Sequence, residues 1–89
     1  MRKNRTNIQI KIDILKCIAS RKNGIAKNRL MIKSNTSFAM LQRYLNELLA
    51  RDFVKETVID TNKRLLITLE GREYLYNLDK LNSFVKFKD

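Results

Sequence analysis

The segment that begins at Phe38 constrains this chain most, because its apolar residues recur every three or four positions. On an α-helix this spacing gathers the apolar side chains on one face and leaves the polar ones on the other. A hydroxyl of Ser37 or Thr36 can cap the first turn of such a helix. The apolar face predicted to enter the core consists of Phe38, Leu41, Tyr44, Leu45, Leu48 and Leu49.

A β-hairpin is predicted to follow this helix. Residues 53–59 are rich in β-branched and aromatic residues, which favours a strand, and residues 64–67 can form the return strand. In the turn between them, Asn62 can accept left-handed backbone geometry. Thr68 can then cap a last helix that continues towards Lys86.

The first helix is predicted over residues 8–19, where apolar residues follow the helical spacing and Thr6 or Asn7 can act as the N-cap. A polar turn ends this helix, and Gly24 within it can adopt a positive φ. Ile25 then stands as a single apolar residue, which is enough for one β-bridge.

A short second helix is predicted over residues 27–34, with Leu30 and Met31 facing the core. The tight break after it makes a helix-turn-helix with the helix that begins at Phe38. The element order is typical of a mainly α (α+β) winged helix-turn-helix, with three helices, a two-stranded wing and a C-terminal helix. The predicted regions are a mobile basic arm (1–7), the winged-helix domain (8–70) and a C-terminal dimerisation helix (71–89).

The charge of the chain indicates the class of its partner. The sequence holds 19 Lys and Arg against 9 Asp and Glu, a formal net charge of +10. Residues 1–36 contribute ten basic residues and one acid, and residues 37–89 contribute nine basic residues and eight acids. This excess and its asymmetry favour a polyanionic partner, whereas the alternative is a lysine-rich solvated surface.

The composition disfavours enzyme chemistry. The chain has no histidine and only two, widely separated glycines, so it lacks the commonest general base and any phosphate-cradling loop. With Cys17 as the one cysteine, no zinc site of the usual kind and no internal disulfide can form, and Cys17 is expected to be a small buried hydrophobe. We expect no cofactor, no metal, no small-molecule ligand and no catalytic residue.

No apolar run approaches the length of about 18–20 residues that a membrane-spanning helix needs. The basic N-terminus is not followed by the apolar core of a signal peptide. We therefore expect a cytoplasmic, nucleoid-associated protein with no membrane partner.

Two stretches of the sequence resemble archaeal winged-helix DNA-binding proteins. Their leucine-rich recognition helix and first wing strand are similar to the run LQRYLNELLARDFV in this chain. Their second wing strand ends in a Leu-Thr-x-x-Gly-like element that opens the last helix. The run ITLEGREYL, which follows the hairpin here, is similar to that element, with Ile67, Thr68 and Gly71 at its positions. The opening segment of the chain is similar as well. The resemblance covers about residues 8–81 and is nearest to the Sulfolobus ten-a type of chromatin protein and its predicted transcriptional-regulator relatives.

This resemblance implies binding to duplex DNA with little sequence preference. It also implies dimerisation through an antiparallel coiled coil that a long last helix forms. The sequence departs from that pattern because it ends at Asp89 and its last helix is therefore expected to be short. We therefore expect a smaller helix–helix contact in place of a full coiled coil.

The first group of predicted DNA contacts lies near the N-terminus of the recognition helix, the end that enters the major groove in helix-turn-helix proteins. Gln42 can pair with adenine, Arg43 can bind guanine or a phosphate, and Asn46 can reach the backbone. The alternative is a solvated helix face. The group comprises Ser37, Ala39, Met40, Gln42, Arg43 and Asn46.

Three further groups are predicted DNA contacts, the alternative being a solubilising role. The residues that flank the turn can hold phosphates, those at the wing tip can touch the minor groove or its phosphates, and those in the arm can follow a groove. The residues that flank the turn are Lys27, Asn28, Arg29, Lys33, Ser34 and Thr36. Those at the wing tip are Lys63 and Arg64. Those in the N-terminal arm are Arg2, Lys3 and Arg5.

Phe38 and Tyr44 are predicted to be core residues, which argues against single-strand binding because that needs exposed aromatic platforms. The apolar stripe of the last helix can pack on its own domain or form a two-fold seam with a second copy. We favour a homodimer, because four apolar residues within seven would be costly to leave in water. The predicted interface comprises Leu78, Leu81, Phe84 and Val85.

The sequence therefore predicts a double-stranded DNA-binding protein, acting as a transcriptional regulator or a nucleoid-associated protein. A protein-interaction winged helix within a larger complex and an RNA-binding winged helix are the alternatives.

Overall fold

The computed structural model describes residues 5–88, with side chains for residues 5–84. In chain order, its elements are α1 (Asn7–Ala19), α2 (Lys27–Ser34), α3 (Phe38–Ala50), β1 (Val54–Ile59), β2 (Asn62–Ile67) and α4 (Leu69–Lys88). β1 and β2 pair antiparallel as the wing. The predicted winged helix-turn-helix is confirmed, including a second helix with the predicted bounds.

Serine and threonine hydroxyls cap three of the helices, because each accepts a hydrogen bond from a backbone amide left free in the first turn. Thr6 Oγ1 accepts from the amide of Gln9 at 3.0 Å at the start of α1. Ser37 Oγ accepts from Met40 at 3.1 Å at the start of α3. Thr68 Oγ1 accepts from Gly71 at 2.9 Å at the start of α4. These three caps were all among the predicted alternatives.

One apolar core joins α1, α2, α3 and the wing. Tyr44 is 4% exposed, as predicted, and its hydroxyl donates a hydrogen bond of 2.7 Å to Oδ1 of Asn7. Cys17 packs against this core and is half-buried. The buried members of the core come from α1, α2, α3, both strands and the α1–α2 segment, and they are Ile10, Ile14, Leu15, Ile18, Ile25, Leu30, Leu41, Tyr44, Leu45, Leu48, Val54 and Leu65.

The segment between α1 and α2 is fastened to the wing. Gly24 has a φ of +89°, which a glycine adopts without strain. The predicted single-residue bridge is confirmed, since Ile25 donates to the carbonyl of Leu65 at 3.0 Å and accepts from its amide at 2.9 Å. A Cβ on Gly24 would lie 2.9 Å from Cβ of Arg64. The loop can therefore approach β2 this closely only with glycine at position 24.

The wing turn differs from its prediction. Asp60 and Thr61 hold the left-handed backbone positions, with φ of 51° and 65°, whereas Asn62 pairs with Ile59 as the first residue of β2. A two-residue turn with two positive φ angles matches the twist of the flanking strands. The prediction of a left-handed Asn62 is therefore wrong, and the return strand begins two residues earlier than predicted.

Helix α4 packs along α1. Tyr74 and Leu75 contact the core, and the ring of Tyr74 stacks on Phe53 with the centroids 4.2 Å apart. Farther along, Asn82 Nδ2 donates to Oε1 of Gln9 at 2.8 Å, so α4 follows α1 over several turns. Over residues 5–88, no helix is long and apolar enough to cross a membrane.

Candidate nucleic-acid interface

The turn of the helix-turn-helix is shaped by its own side chains. Asn35 ends α2 in a left-handed conformation with a φ of 57°. Ser34 is only 2% exposed; its hydroxyl donates to the carbonyl of Leu30 at 2.7 Å and lies 3.1 Å from the hydroxyl of half-buried Thr36. The structure thus assigns Ser34 to the interior of the turn, which corrects its prediction as a phosphate contact.

Arg5 is also bound to this turn. Its Nη1 donates to Oδ2 of Asp13 at 2.7 Å and to the carbonyl of Ser34 at 2.9 Å, and its Nη2 donates to the carbonyl of Asn35 at 2.6 Å. The side chain of Arg5 is 15% exposed. The expectation of a mobile arm is therefore wrong at Arg5, because the guanidinium satisfies carbonyls at the end of α2. Arg2 and Lys3 lie outside the described residues.

The outward face of α3 is polar and accessible. Ser37, Ala39, Arg43 and Asn46 are exposed, and the Arg43 guanidinium lies 5.2 Å from the centre of the Tyr44 ring. Gln42 is half-buried and donates from Nε2 to Oδ1 of Asn46 at 2.8 Å. Met40 is half-buried against the core.

Phe38 corrects the predicted apolar face of α3. Its side chain is 60% exposed at the first position of the helix, although its spacing relative to Leu41 places it on the core side. The ammonium group of Lys27 lies 4.7 Å from the centre of its ring and also donates a hydrogen bond to Oε1 of Gln42. The interface therefore contains an exposed aromatic residue, which the helical periodicity misses because the core ends one turn after the start of α3.

The cations of α2 and of the wing are available to an anion. Asn28, Arg29 and Lys33 are exposed on α2, and Lys63 is exposed on β2. Among the residues with described side chains, the ion pairs use Arg5, Lys11, Lys16 and Arg51 as the cations. The basic residues of α2, of the first half of α3 and of the wing form no ion pair within that part of the chain.

Arg64 occupies a less open position on the wing than Lys63. It is half-buried, and its Nε atom is buried without a hydrogen-bond partner among the described residues. A cavity of about 160 Å³ lies between α3 and the wing. Its lining includes Lys27 and Gln42 on one side and Glu56, Lys63 and Arg64 on the other. The wing therefore stands beside the α3 surface, and the one acid that lines the cavity, Glu56, belongs to the wing.

The chemistry of this surface is the chemistry of anion binding. It offers ammonium, guanidinium and amide donors around the polar face of α3, which is exposed in the N-terminal half of the helix. Over the described side chains, no group of three or more His, Cys, Asp or Glu residues could hold a metal ion.

A protein-family comparison supplies the assignment of the chain. The model of the winged helix-turn-helix family matches residues 4–86, nearly the whole sequence. This chain belongs to the winged helix-turn-helix family. No curated protein matches it in sequence.

Solved structures of other winged-helix proteins share its fold. Sso10a-2, a DNA-binding protein from Sulfolobus solfataricus, superimposes with a TM-score of 0.78 at 17% identity, over 92% of this chain and 83% of that one. SSV1 F-93 matches with a TM-score of 0.67 at 22% identity, over the full length of both chains. A mutant of MepR from S. aureus bound to an oligodeoxyribonucleotide matches with a TM-score of 0.69 at 16% identity, over 93% of this chain and 62% of that one. At these identities the likeness establishes the winged-helix fold alone.

Proposed function

We propose that this winged helix-turn-helix protein binds double-stranded DNA, with α3 in the major groove and the wing beside the sugar–phosphate backbone. The observation that carries the proposal is the exposed face of α3 at Arg43 and Asn46, flanked by Arg29, Lys33 and Lys63, which have no acid partner among the described residues. Unpaired cations around a polar helix suit a phosphate-lined groove.

Low sequence preference fits the same surface. Gln42 is the side chain best suited to pair with adenine, but it already binds Lys27 and Asn46. Reading a base would require Gln42 to exchange these partners. Arg43 is then the main candidate for a base contact, and most of the binding free energy comes from phosphates. A nucleoid-associated protein or a regulator with a degenerate site fits these properties.

Fluorescence anisotropy of a labelled duplex tests this function. Between 50 and 200 mM salt, the logarithm of the association constant should fall linearly with the logarithm of salt concentration, by about 0.9 for each phosphate contacted. A module that binds protein partners instead should show no duplex affinity at about 100 mM salt. An RNA duplex of the same sequence separates the remaining alternative, since tighter binding to A-form RNA would contradict the proposal.

Single variants locate the binding surface. Arg43→Ala and Lys33→Ala should each weaken duplex binding without changing the melting temperature, because both side chains are exposed. Lys80→Ala is the matched control, since Lys80 is an exposed cation on α4. Unchanged affinity in both Arg43→Ala and Lys33→Ala would remove α2 and α3 from the interface.

We also propose that the protein forms a homodimer through α4. Leu78 is half-buried, whereas Leu81 is 50% exposed and Phe84 is 63% exposed, so the apolar stripe becomes accessible towards the end of the helix. Asp79 and Asn82 face α1, with Asp79 3.5 Å from the Lys16 ammonium, which leaves Leu81 on a different side of α4. The side chain of Val85 lies outside the described residues.

Light scattering tests the dimer with two aspartate substitutions. Leu81→Asp places a charge in the proposed seam and should convert the dimer to a monomer. Ser83→Asp adds the same charge at an exposed position two residues away and should leave the mass unchanged. A parent protein that is already monomeric would contradict the dimer and leave the DNA-binding proposal untouched.

A further inference from the structure

A second cationic surface lies between the wing and the α1–α2 segment, and among its basic residues Arg21 is the one that the predicted DNA contacts leave out. An open groove of about 620 Å³ separates β2 from the α1–α2 loop and the start of α2. Four of its six lining residues are basic and none is acidic. The lining comprises Arg21, Ala26, Arg29, Asn62, Lys63 and Arg64. We call this surface the basic groove.

The backbone fixes the width of the basic groove. The Ile25–Leu65 bridge joins its two walls, with amide–carbonyl distances of 3.0 and 2.9 Å. Gly24 allows the close approach, since any side chain there would meet Arg64. Arg21 is held at the start of the same turn, where its carbonyl accepts from the amide of Gly24 at 3.1 Å. Hydrogen-bonded backbone thus brings the cations of the groove together, so binding has to order their side chains but not the chain that carries them.

The cations of the basic groove are not neutralised by the protein. Among the described residues, Arg21, Arg29, Lys63 and Arg64 form no ion pair. The buried Nε of Arg64 has no hydrogen-bond partner there either. Clustered positive charges repel each other, so an anion placed between them would relieve this repulsion.

The basic groove adjoins the surface of α3. Lys63 and Arg64 line both the groove and the cavity that Lys27 and Gln42 line on the α3 side. A duplex with its major groove on α3 therefore has its flanking backbone near the wing, where phosphates recur every few ångströms along each strand.

We propose that the basic groove binds phosphates of the duplex backbone beside the base pairs that α3 faces, with Arg21 as a phosphate-binding residue outside the helix-turn-helix. This inference rests on the proposed duplex binding. It adds the α1–α2 loop to the interface and makes the wing one wall of a phosphate clamp. Guanidinium groups suit this role because they bind phosphate oxygens in bidentate fashion.

Two neighbouring variants with the same change in charge test the clamp. Arg21→Gln and Lys22→Gln each remove one positive charge from the same loop, but only Arg21 lines the groove, and Lys22 is exposed outside it. Arg21→Gln should lower the salt dependence of duplex binding by about 0.9 log units per log unit of salt, as expected for one lost phosphate contact. Lys22→Gln should lower it far less, and both variants should melt at the temperature of the parent.

Two results would overturn the clamp. If the parent binds duplex DNA and Arg21→Gln and Lys22→Gln have equal salt dependences, the groove is not a phosphate site, although the proposed function stands. If the parent has no duplex affinity, the proposed function fails and the clamp fails with it.

Inorganic phosphate distinguishes the duplex backbone from a free anion. Replacing chloride by phosphate at constant ionic strength should shift the melting temperatures of the parent and of Arg21→Gln by the same amount. A phosphate-dependent rise for the parent alone, together with equal salt dependences of duplex binding for Arg21→Gln and Lys22→Gln, would assign the groove to a small anion and overturn the backbone assignment.

Discussion

The ammonium group of Lys27 lies 4.7 Å from the centre of the Phe38 ring, which joins the first residue of α2 to the first residue of α3. Phe38 covers one side of an ammonium that also binds Gln42. Since cation–π contacts at exposed sites contribute about 0.5–1 kcal/mol, the ring can hold Lys27 in one position at the interface.

A double-mutant cycle on duplex affinity tests this positioning. Lys27→Ala and Phe38→Leu should each weaken binding, and their combination should weaken it by less than the sum, with a coupling of about 0.5–1 kcal/mol. Lys33→Ala combined with Phe38→Leu is the control and should be additive, because the cation that lies over the Phe38 ring in the described structure is Lys27. Additivity in both pairs would show that Phe38 does not orient Lys27.

Arg5 is predicted to stabilise the fold. Arg5→Gln removes charge-assisted hydrogen bonds to Asp13 and to the carbonyls of Ser34 and Asn35. The free energy of unfolding, measured in urea, should fall by about 1.5–3 kcal/mol. Lys22→Gln, which changes an exposed residue, should leave it unchanged. Equal unfolding free energies in urea for Arg5→Gln and Lys22→Gln would show that the Arg5 contacts contribute nothing to stability.

Gly71 is predicted to be irreplaceable at the junction between the wing and α4. A Cβ there would lie 2.0 Å from the carbonyl oxygen of Phe53, which already accepts a hydrogen bond from the amide of Thr68. Because the obstacle is backbone, Gly71→Ala should cost at least about 2 kcal/mol of stability. Arg72→Ala, an exposed position next to it, should melt at the temperature of the parent. A stable Gly71→Ala protein would mean that α4 does not approach Phe53 this closely.

The ion pair between α1 and α3 predicts a loss of stability at alkaline pH. Lys11 Nζ lies 2.7 Å from Oε2 of Glu47, and this hydrogen bond raises the pKa of Lys11 above its ordinary value of 10.5. The folded state therefore favours the charged form. The resulting stability is full below about pH 10.5 and is lost as the pH rises through the folded pKa.

Chemical denaturation between pH 8 and pH 12 measures this effect. Burial also raises the pKa of the Cys17 thiol above 9.0, so ionisation of Cys17 in the unfolded chain lowers stability in the same direction. Lys11→Met should therefore flatten the plot of unfolding free energy against pH only at its alkaline end, above about pH 10.5. Lys55→Met, at an exposed position in β1, should retain the profile of the parent. An unchanged profile in Lys11→Met would exclude the Lys11–Glu47 pair as its cause.

Local sequence signals predicted most of the fold. The caps at Thr6, Ser37 and Thr68, the positive φ of Gly24 and the bridge at Ile25 follow from the chemistry of single residues and their neighbours. The caps depend on contacts within a few residues and Gly24 on the freedom of glycine, so both can be read from the chain, whereas the bridge partner of Ile25 is the distant Leu65, which no local pattern indicates.

The errors concern residues whose position depends on distant parts of the chain. Periodicity placed Phe38 in the core, but its side chain is 60% exposed and meets the ammonium group of Lys27 from α2 instead of apolar side chains. Arg5 binds carbonyls about 30 residues away, which no local pattern encodes. Arg21 joins the basic groove only because the α1–α2 loop meets β2. For the candidate site, the sequence thus predicted the basic and polar residues better than their arrangement.

The central claim is that the N-terminal half of α3 faces the duplex, and Arg43→Gln compared with Arg51→Gln tests it most directly. Both residues are exposed arginines of the same helix region, but they lie about 12 Å apart along the axis, and Arg51 stacks near Phe53 and Tyr74. By anisotropy at fixed salt, Arg43→Gln should weaken duplex binding by about tenfold and Arg51→Gln by far less. Equal losses in the two variants, with both proteins folded, would contradict the proposed orientation of α3.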